Sequence, residues 1–435
     1  MKFYPSTNKL IVAVLAVNML LSCEIERIDD PNNPSLTGIL QNASLSEIQN
    51  LVTGTESAIR DNLGNYYDAV NVIGREYYRF STSDPRFTSD LLGKGTAILD
   101  NNTFYITNPF AARYRAIKNA NILIDALTNT TAVITEPQRK AGIAYAKTIQ
   151  AYQLLLVLNL LHDNGVRTDV KDPDNLGPFL SRAQSLDAIL GLLNEANVDL
   201  KGSAAVLPFQ TTLYSNIASE FSKFNRALAA RVAVYKQDFA AANTALTESF
   251  LNLTGDLNAG VYHLFSTAGG DQRNPLFFPL NSSGETRVAQ PSFITNAEAG
   301  DTRLNKVSLR TTAEFQDGLQ SNYDFYLYKT DADRIPIIRN EELILLYAEV
   351  KAKLGPVTDA VIAINRIRNA AGLPVYIGAI DMNSLISEIL KQRRYSLYGE
   401  GHRWIDLRRN GLLAQLPIDR PGDDVWLQFP IPANE

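Results

Sequence analysis

The chain has 435 residues, 45% of them hydrophobic and 20% charged, and carries a net charge of −5. That length suits one large domain or two closely packed regions, and without a Lys/Arg-rich patch the balance speaks against nucleic acid as a partner. A single cysteine permits no internal disulfide, and His162, His263 and His402 stand far apart with no CxxC or HExxH spacing, so neither a metal nor a cofactor is expected.

At the start, Lys2 and Lys9 precede an apolar run from Leu10 to Leu21, broken only by Asn18 and ending in Leu20-Leu21-Ser22-Cys23. A basic beginning, a short apolar segment and a small residue are the parts of a secretory signal. The run falls short of the ~20 apolar residues that span a bilayer. The stretch resembles a bacterial lipobox, which implies a signal peptide over 1–22 and lipid on Cys23. The polar, acidic and proline-bearing stretch from Glu24 to Pro34 reads as a tether, drawn here over 23–43.

Helical signals dominate the chain from residue 44 onward. Ser44-Leu45-Ser46-Glu47 has the capping-box pattern, and Ile48, Leu51, Thr55 and Ile59 recur at helical spacing. A second helix is expected over Tyr66–Phe80, and an irregular excursion over Ser81–Thr107. Helices are expected again over Phe110–Leu127, over Pro137–Leu161 with an all-apolar stretch Leu154–Leu158, and over Ser185–Leu200 with Ser185 as its cap. Asn225–Phe250, turning at Gln237-Asp238, and Leu343–Arg368, turning at Gly355-Pro356, read as two helical pairs that look like tetratricopeptide units. Such pairs bury their faces only by stacking.

Between the pairs, Leu253–Pro336 is rich in Gly, Pro, Asn, Asp and Ser, with β-like runs at Tyr262–Phe265, Leu276–Phe278 and Tyr323–Tyr328. The fold class predicted is mainly α: a tetratricopeptide-like scaffold of helical pairs with a loop-rich insertion containing short strands. Its parts are an N-terminal helical region over 44–252, the insertion over 253–335 and a C-terminal helical region over 336–435.

The C-terminal third carries a family resemblance. Pro336-Ile337-Ile338-Arg339-Asn340-Glu341-Glu342-Leu343 through Tyr347-Ala348-Glu349, then Ala363-Ile364-Asn365-Arg366-Ile367-Arg368 with Ala371-Gly372-Leu373, resemble stretches of the SusD/RagB family. So does Arg393-Arg394-Tyr395-Ser396-Leu397-Tyr398-Gly399-Glu400-Gly401-His402-Arg403-Trp404-Ile405-Asp406-Leu407-Arg408-Arg409, and Phe429-Pro430-Ile431-Pro432 with Glu435 closes the set. Tyr114, Ile117, Ala120 and Asn121, and Asp301 with Arg303, fit two further family positions; Gln392, Ser396 and Phe110 depart from its usual residues.

The resemblance implies a SusD-like fold and a non-catalytic surface lipoprotein of the outer membrane. Such a protein captures an oligosaccharide, or a peptide, for a SusC-like TonB-dependent transporter. It implies binding groups in the loops after the first helices and in the insertion, which here hold Tyr77, Tyr78, Arg79, Phe80, Asp84, Arg86 and Phe87, then Phe277, Phe278, Asn281, Arg287 and Phe293. Flat aromatic faces stack on sugar rings, while carboxylates, amides and Arg forks meet hydroxyls. Glu400, Arg403 and Asp406 sit three apart, so they are expected to share one helix face and form a structural ion-pair lattice with Arg393, Arg339 or Glu349, and Trp404 and Tyr347 to be core. Two rival readings stay open: an exported glycan hydrolase, which needs a carboxylate pair ~5–10 Å apart, and a helical-repeat scaffold that binds only proteins.

Overall fold

The computed structural model describes residues 36–433 and 435. The expected signal peptide, Cys23 and the tether as far as residue 35 lie outside the described residues. The last part of the expected tether is a helix, α1 (Leu36–Asn42). It is pinned where the Asn42 side chain accepts hydrogen bonds from the Thr131 amide at 2.9 Å and hydroxyl at 2.7 Å.

Helix α2 (Leu45–Ala58) begins as its sequence dictates, with the Ser44 hydroxyl accepting from the Glu47 amide at 3.3 Å and the Glu47 carboxylate accepting from the Ser44 amide at 2.7 Å. Helix α3 (Leu63–Ile73) stops at Gly74, because Arg75 takes a left-handed φ of 52°. The helix expected over Tyr66–Phe80 is therefore too long: Tyr77–Ser81 is a strand, β1, and its aromatic-rich composition suits that state.

Next come α4 (Phe104–Asn129), α5 (Glu136–Leu161), α6 (Arg182–Leu200), α7 (Ala218–Lys236) and α8 (Phe239–Glu248), each packed against the next. Leu154–Leu158 of α5 is buried on every side, as expected. The cap of α6 is Ser181, which forms a capping box with Gln184, and not Ser185. Ser185 lies inside the first turn, fully buried, where its hydroxyl accepts from the Val166 amide at 3.1 Å. The α7–α8 turn falls where predicted, with Gln237 at φ 64° and the Asp238 carboxylate accepting from the Ala241 amide at 3.0 Å.

The insertion supplies β2 (Gly260–His263), β3 (Glu285–Ala289), the short α9 (Ser292–Thr295), β4 (Val307–Gln316), β5 (Leu319–Phe325) and β6 (Ile335–Arg339). An antiparallel sheet runs in the order β1-β3-β5-β4, and β2 pairs with β6. Leu276–Phe278 is not a strand, and the run from Tyr323 is extended only to Phe325.

After the insertion, α10 (Asn340–Leu354) and α11 (Val357–Ala370) form the second predicted pair around Gly355, and α12 (Met382–Ser396) and α13 (Arg403–Arg409) complete the helical set. Helix α10 packs on α8 as well as on α11 and α12, so the helical array continues across the insertion. Ile344, Ala348, Ala360, Ile364 and Ile389 bury one another there. Mainly helical pairs with small sheets is the architecture the sequence predicts. No helix among the described residues is long and apolar enough to cross a membrane.

Candidate ligand-binding face

Strand pairing brings the two regions with expected binding groups together. β1 and β3 are antiparallel, with Tyr77 opposite Ala289, Arg79 opposite Arg287 and Ser81 opposite Glu285. Two like charges directly across a ladder repel, and α3 answers with Asp68. Arg287 donates to the two Asp68 oxygens from Nε at 2.7 Å and Nη2 at 2.8 Å, the Tyr77 hydroxyl donates at 2.9 Å, and Arg79 Nε lies 3.8 Å away. Burial opposes the charge on Arg287, but the Asp68 carboxylate outweighs it and holds the guanidinium above its ordinary pKa.

Over this buried triad lies the Phe278 ring, 4.9 Å from the Arg79 guanidinium and 5.0 Å from that of Arg287. Arg79 also covers Phe87 at 5.1 Å, Phe87 meets Phe104 edge-on at 4.9 Å, and Arg86 covers Phe104 at 5.0 Å. Guanidiniums and rings thus form one continuous series from Arg287 to Arg86, its four cation–ring contacts being the kind that guanidinium and ring quadrupole favour and its Phe87–Phe104 step an edge-on ring pair. At the border, Glu285 accepts from Arg79 at 2.5 Å, Ser81 at 2.6 Å and Ser83 at 2.9 Å. Partial burial pushes its pKa up, but those hydrogen bonds hold it down to about 2. Asp84 is likewise held low by Arg86, which donates to it at 2.6 and 2.9 Å.

The β4–β5 hairpin borders the same loop. Gln316 clasps the Ser81 backbone, accepting from its amide and donating to its carbonyl, both at 2.6 Å, and the Thr88 hydroxyl donates to Asp317 at 3.2 Å. Beside these anchors Phe315 is 66% exposed.

Several expected binding residues do not face solvent. Tyr77, Tyr78 and Phe80 are at most 2% exposed. They cannot act as a stacking platform, because β1 is covered on both faces. Phe87 and Arg287 are also buried, and Phe293 is fully buried with its ring 3.8 Å from that of Tyr398. Phe277 and Phe278 are half-buried, while Arg86 and Asn281 are exposed. Sequence reasoning missed Phe104, Glu285 and Phe315. The Asp317-Gly318 dipeptide, a hairpin-turn signal, was the available clue to the hairpin that carries Phe315.

The expected lattice divides into two buried networks. In one, Arg339 donates to Glu400 at 2.7 Å and also pairs with Glu341. In the other, Asp406 accepts from Arg393 at 2.6 Å and from Arg409 at 2.9 Å, and Arg409 reaches Glu349 at 2.7 Å. Arg403 belongs to neither; it donates to the Arg75 carbonyl at 2.9 Å. The shared helix face does not exist, because α13 begins only at Arg403. Gly399-Glu400-Gly401 is a turn with φ of 76° and 80° at its glycines, and a Cβ on Gly399 would stand 2.5 Å from the Phe325 ring. The Gly399 and Gly401 amides donate to Glu76 at 3.1 Å and to Asn71 at 3.0 Å, tying the turn to α3 and to the residue just before β1. Trp404 is fully buried as expected; Tyr347 is only half-buried. Burial pushes His402 down to about 4 and His263 well below its ordinary value, so both are neutral at pH 7. No group of three or more His, Cys, Asp or Glu among the described residues has the arrangement of a metal site.

Residues 282–423 match the profile of the SusD family. "SusD-like protein P38" of Formosa agariphila is 35% identical over 108 residues, a stretch that spans 22% of this chain and 22% of that protein. Among solved structures, surface glycan-binding protein A of Bacteroides thetaiotaomicron in complex with laminarihexaose superposes with a TM-score of 0.68 at 16% identity, over 89% of this chain and 96% of that one. A laminarin-binding SusD-like protein superposes at 0.67 and 17% identity, over 91% and 97%. The family match is thus carried by residues 282–423, and the fold of the chain is that of these SusD-like structures.

Proposed function

We propose that this protein is a non-catalytic surface binder that captures a glycan and passes it to a SusC-like TonB-dependent transporter. The observation that carries this reading is the face on the β1–β3 sheet, where aromatic rings, guanidinium forks and carboxylates lie within one stack. A sugar needs those two chemistries: an apolar surface for its ring and paired donors and acceptors for its hydroxyls. Phe278 and Phe104 of the stack, with the exposed Phe315 on the neighbouring hairpin, supply the first; Arg86, Asp84 and Glu285 supply the second. The laminarin and laminarihexaose bound by proteins of this fold make a β-glucan the first ligand to try. Glu285 is held ionised by its hydrogen bonds, which suits an acceptor of hydroxyls better than a general acid.

The N-terminal sequence bears on location. Lipid on Cys23 would hold the protein to the outer membrane, and the acidic Glu24, Glu26, Asp29 and Asp30 mark the outward face. Retardation of the purified protein in gels containing laminarin or another glycan, without release of reducing ends, is the expected result. Reducing-end release would favour the hydrolase, and co-purification with envelope proteins without retardation by any glycan would favour the protein-binding scaffold. Cys23→Ala should give folded protein in the soluble fraction; sedimentation of that variant with outer membranes in a strain lacking the transporter would refute the anchor.

A further inference from the structure

A cavity of about 390 Å3 opens between α9, α12, α13 and the segment 412–417, and none of the residues of the candidate face lines it. Its wall carries two guanidiniums, Arg394 and Arg403, neither of which has an ion-pair partner among the described residues. Arg394 donates to the Ser292 hydroxyl at 2.7 Å, while its Nε is buried with no hydrogen bond at all. Arg403 is engaged only with the Arg75 carbonyl. Tyr395 lines the same cavity at 1% exposure, and its hydroxyl is likewise buried without a partner.

Nothing in the wall neutralises this charge. The one lining carboxylate, Asp406, has its oxygens committed to Arg393 and Arg409. Lys391, also lining, is matched by Glu298 at 2.8 Å. The acid that acts on both Arg403 and Arg394 is Glu76, which forms no ion pair with either, and burial pushes its pKa up to about 8, so it is mostly uncharged at neutral pH. Burial lowers the pKa of Arg394, and of Arg403 to about 9, the direction expected of cations that lack a counter-charge. Desolvated charge without a partner is costly. A guanidinium fork fits the planar or tetrahedral oxygens of an oxyanion.

We propose that this cavity is an oxyanion-binding subsite, in which Arg394, Arg403 and the Tyr395 hydroxyl hold a sulfate, phosphate or carboxylate group. The volume lies at the lower end of the range for small-molecule pockets, enough for a free ion or for an acidic group on a sugar. The site stands on these side chains whether or not the β1–β3 face binds a glycan.

Thermal unfolding of the full chain, titrated with sodium sulfate against sodium chloride of equal ionic strength, tests it. The midpoint should rise saturably with sulfate beyond chloride. Arg394→Gln should weaken that response at least tenfold. Tyr395→Phe, which removes only an unpartnered hydroxyl and leaves the packing intact, should weaken it several-fold. A sulfated monosaccharide that acts at concentrations tenfold lower than sulfate identifies a sugar-borne group as the ligand; equal potency identifies the free ion. No sulfate response beyond chloride, or an equal response in wild type and both variants, overturns the proposal. Because neutral laminarin is assayed separately, loss of one result leaves the other standing.

Discussion

Asp68 is the residue on which the candidate face depends. It lies beneath two arginines that face each other across β1 and β3, and it forms the ion pair that neutralises Arg287. Breaking a buried pair by deleting one partner leaves an unpaired buried charge, at a cost of about 3–5 kcal/mol. Asp68→Ala should lower stability by that order in urea unfolding, whereas Arg86→Ala, which breaks an exposed pair, should leave it within about 1 kcal/mol. Equal effects of the two would contradict the description of the face. Glu76 gives a pH signature. Burial raises its folded pKa to about 8, so its contribution to stability is full below the unfolded carboxylate value and is lost as pH rises through 8. Glu76→Gln removes this loss, and its stability relative to wild type should increase from about pH 5 to pH 8; a constant difference would show that Glu76 ionises normally. At this scale the sequence misled most. Tyr77, Tyr78 and Phe80 look like a stacking platform because composition does not say which faces of a strand are covered, and only tertiary packing, with Asp68 and Phe325 against Tyr77 and Asp419 against Tyr78, decides that.

Elements were legible where a local rule governs them. Ser44 with Glu47 caps α2 as read, and Gln237-Asp238 and Gly355-Pro356 turn the helical pairs where expected. The strand β1 was not legible, because its apolar residues continue the pattern of α3 and only the left-handed Arg75 separates the two. Nor was the break before α13, since three-residue spacing of Glu400, Arg403 and Asp406 imitates a helix across a glycine turn. That turn is testable. Gly399→Ala forces a left-handed alanine and drives its Cβ toward the Phe325 ring. Strain of this kind costs about 1–3 kcal/mol, and the urea midpoint should fall accordingly. A wild-type midpoint would mean that the turn relaxes freely and does not fix Glu400 against Arg339.

Across the whole molecule, the helical array runs from α4 to α12, α8 packs on α10 across the insertion, and the insertion's Val261, Val288 and Phe325 join the same core. The scaffold was readable from helical period and small residues. The way the insertion joins it was not, because β1 comes from the N-terminal region and completes a sheet otherwise built by residues 285–325. That long-range pairing gathers Arg79, Phe278 and Glu285 at one place, from segments about 200 residues apart in the chain. The central claim is that this place binds a glycan. Its most direct test is isothermal titration of the purified protein with laminarin and a panel of other oligosaccharides, repeated with Phe315→Ala and Phe278→Ala. Loss of one stacking ring is worth about 1 kcal/mol or more, so each variant should bind the active glycan at least about fivefold more weakly. Binding by both variants at wild-type affinity, or no heat with any glycan, would contradict the account.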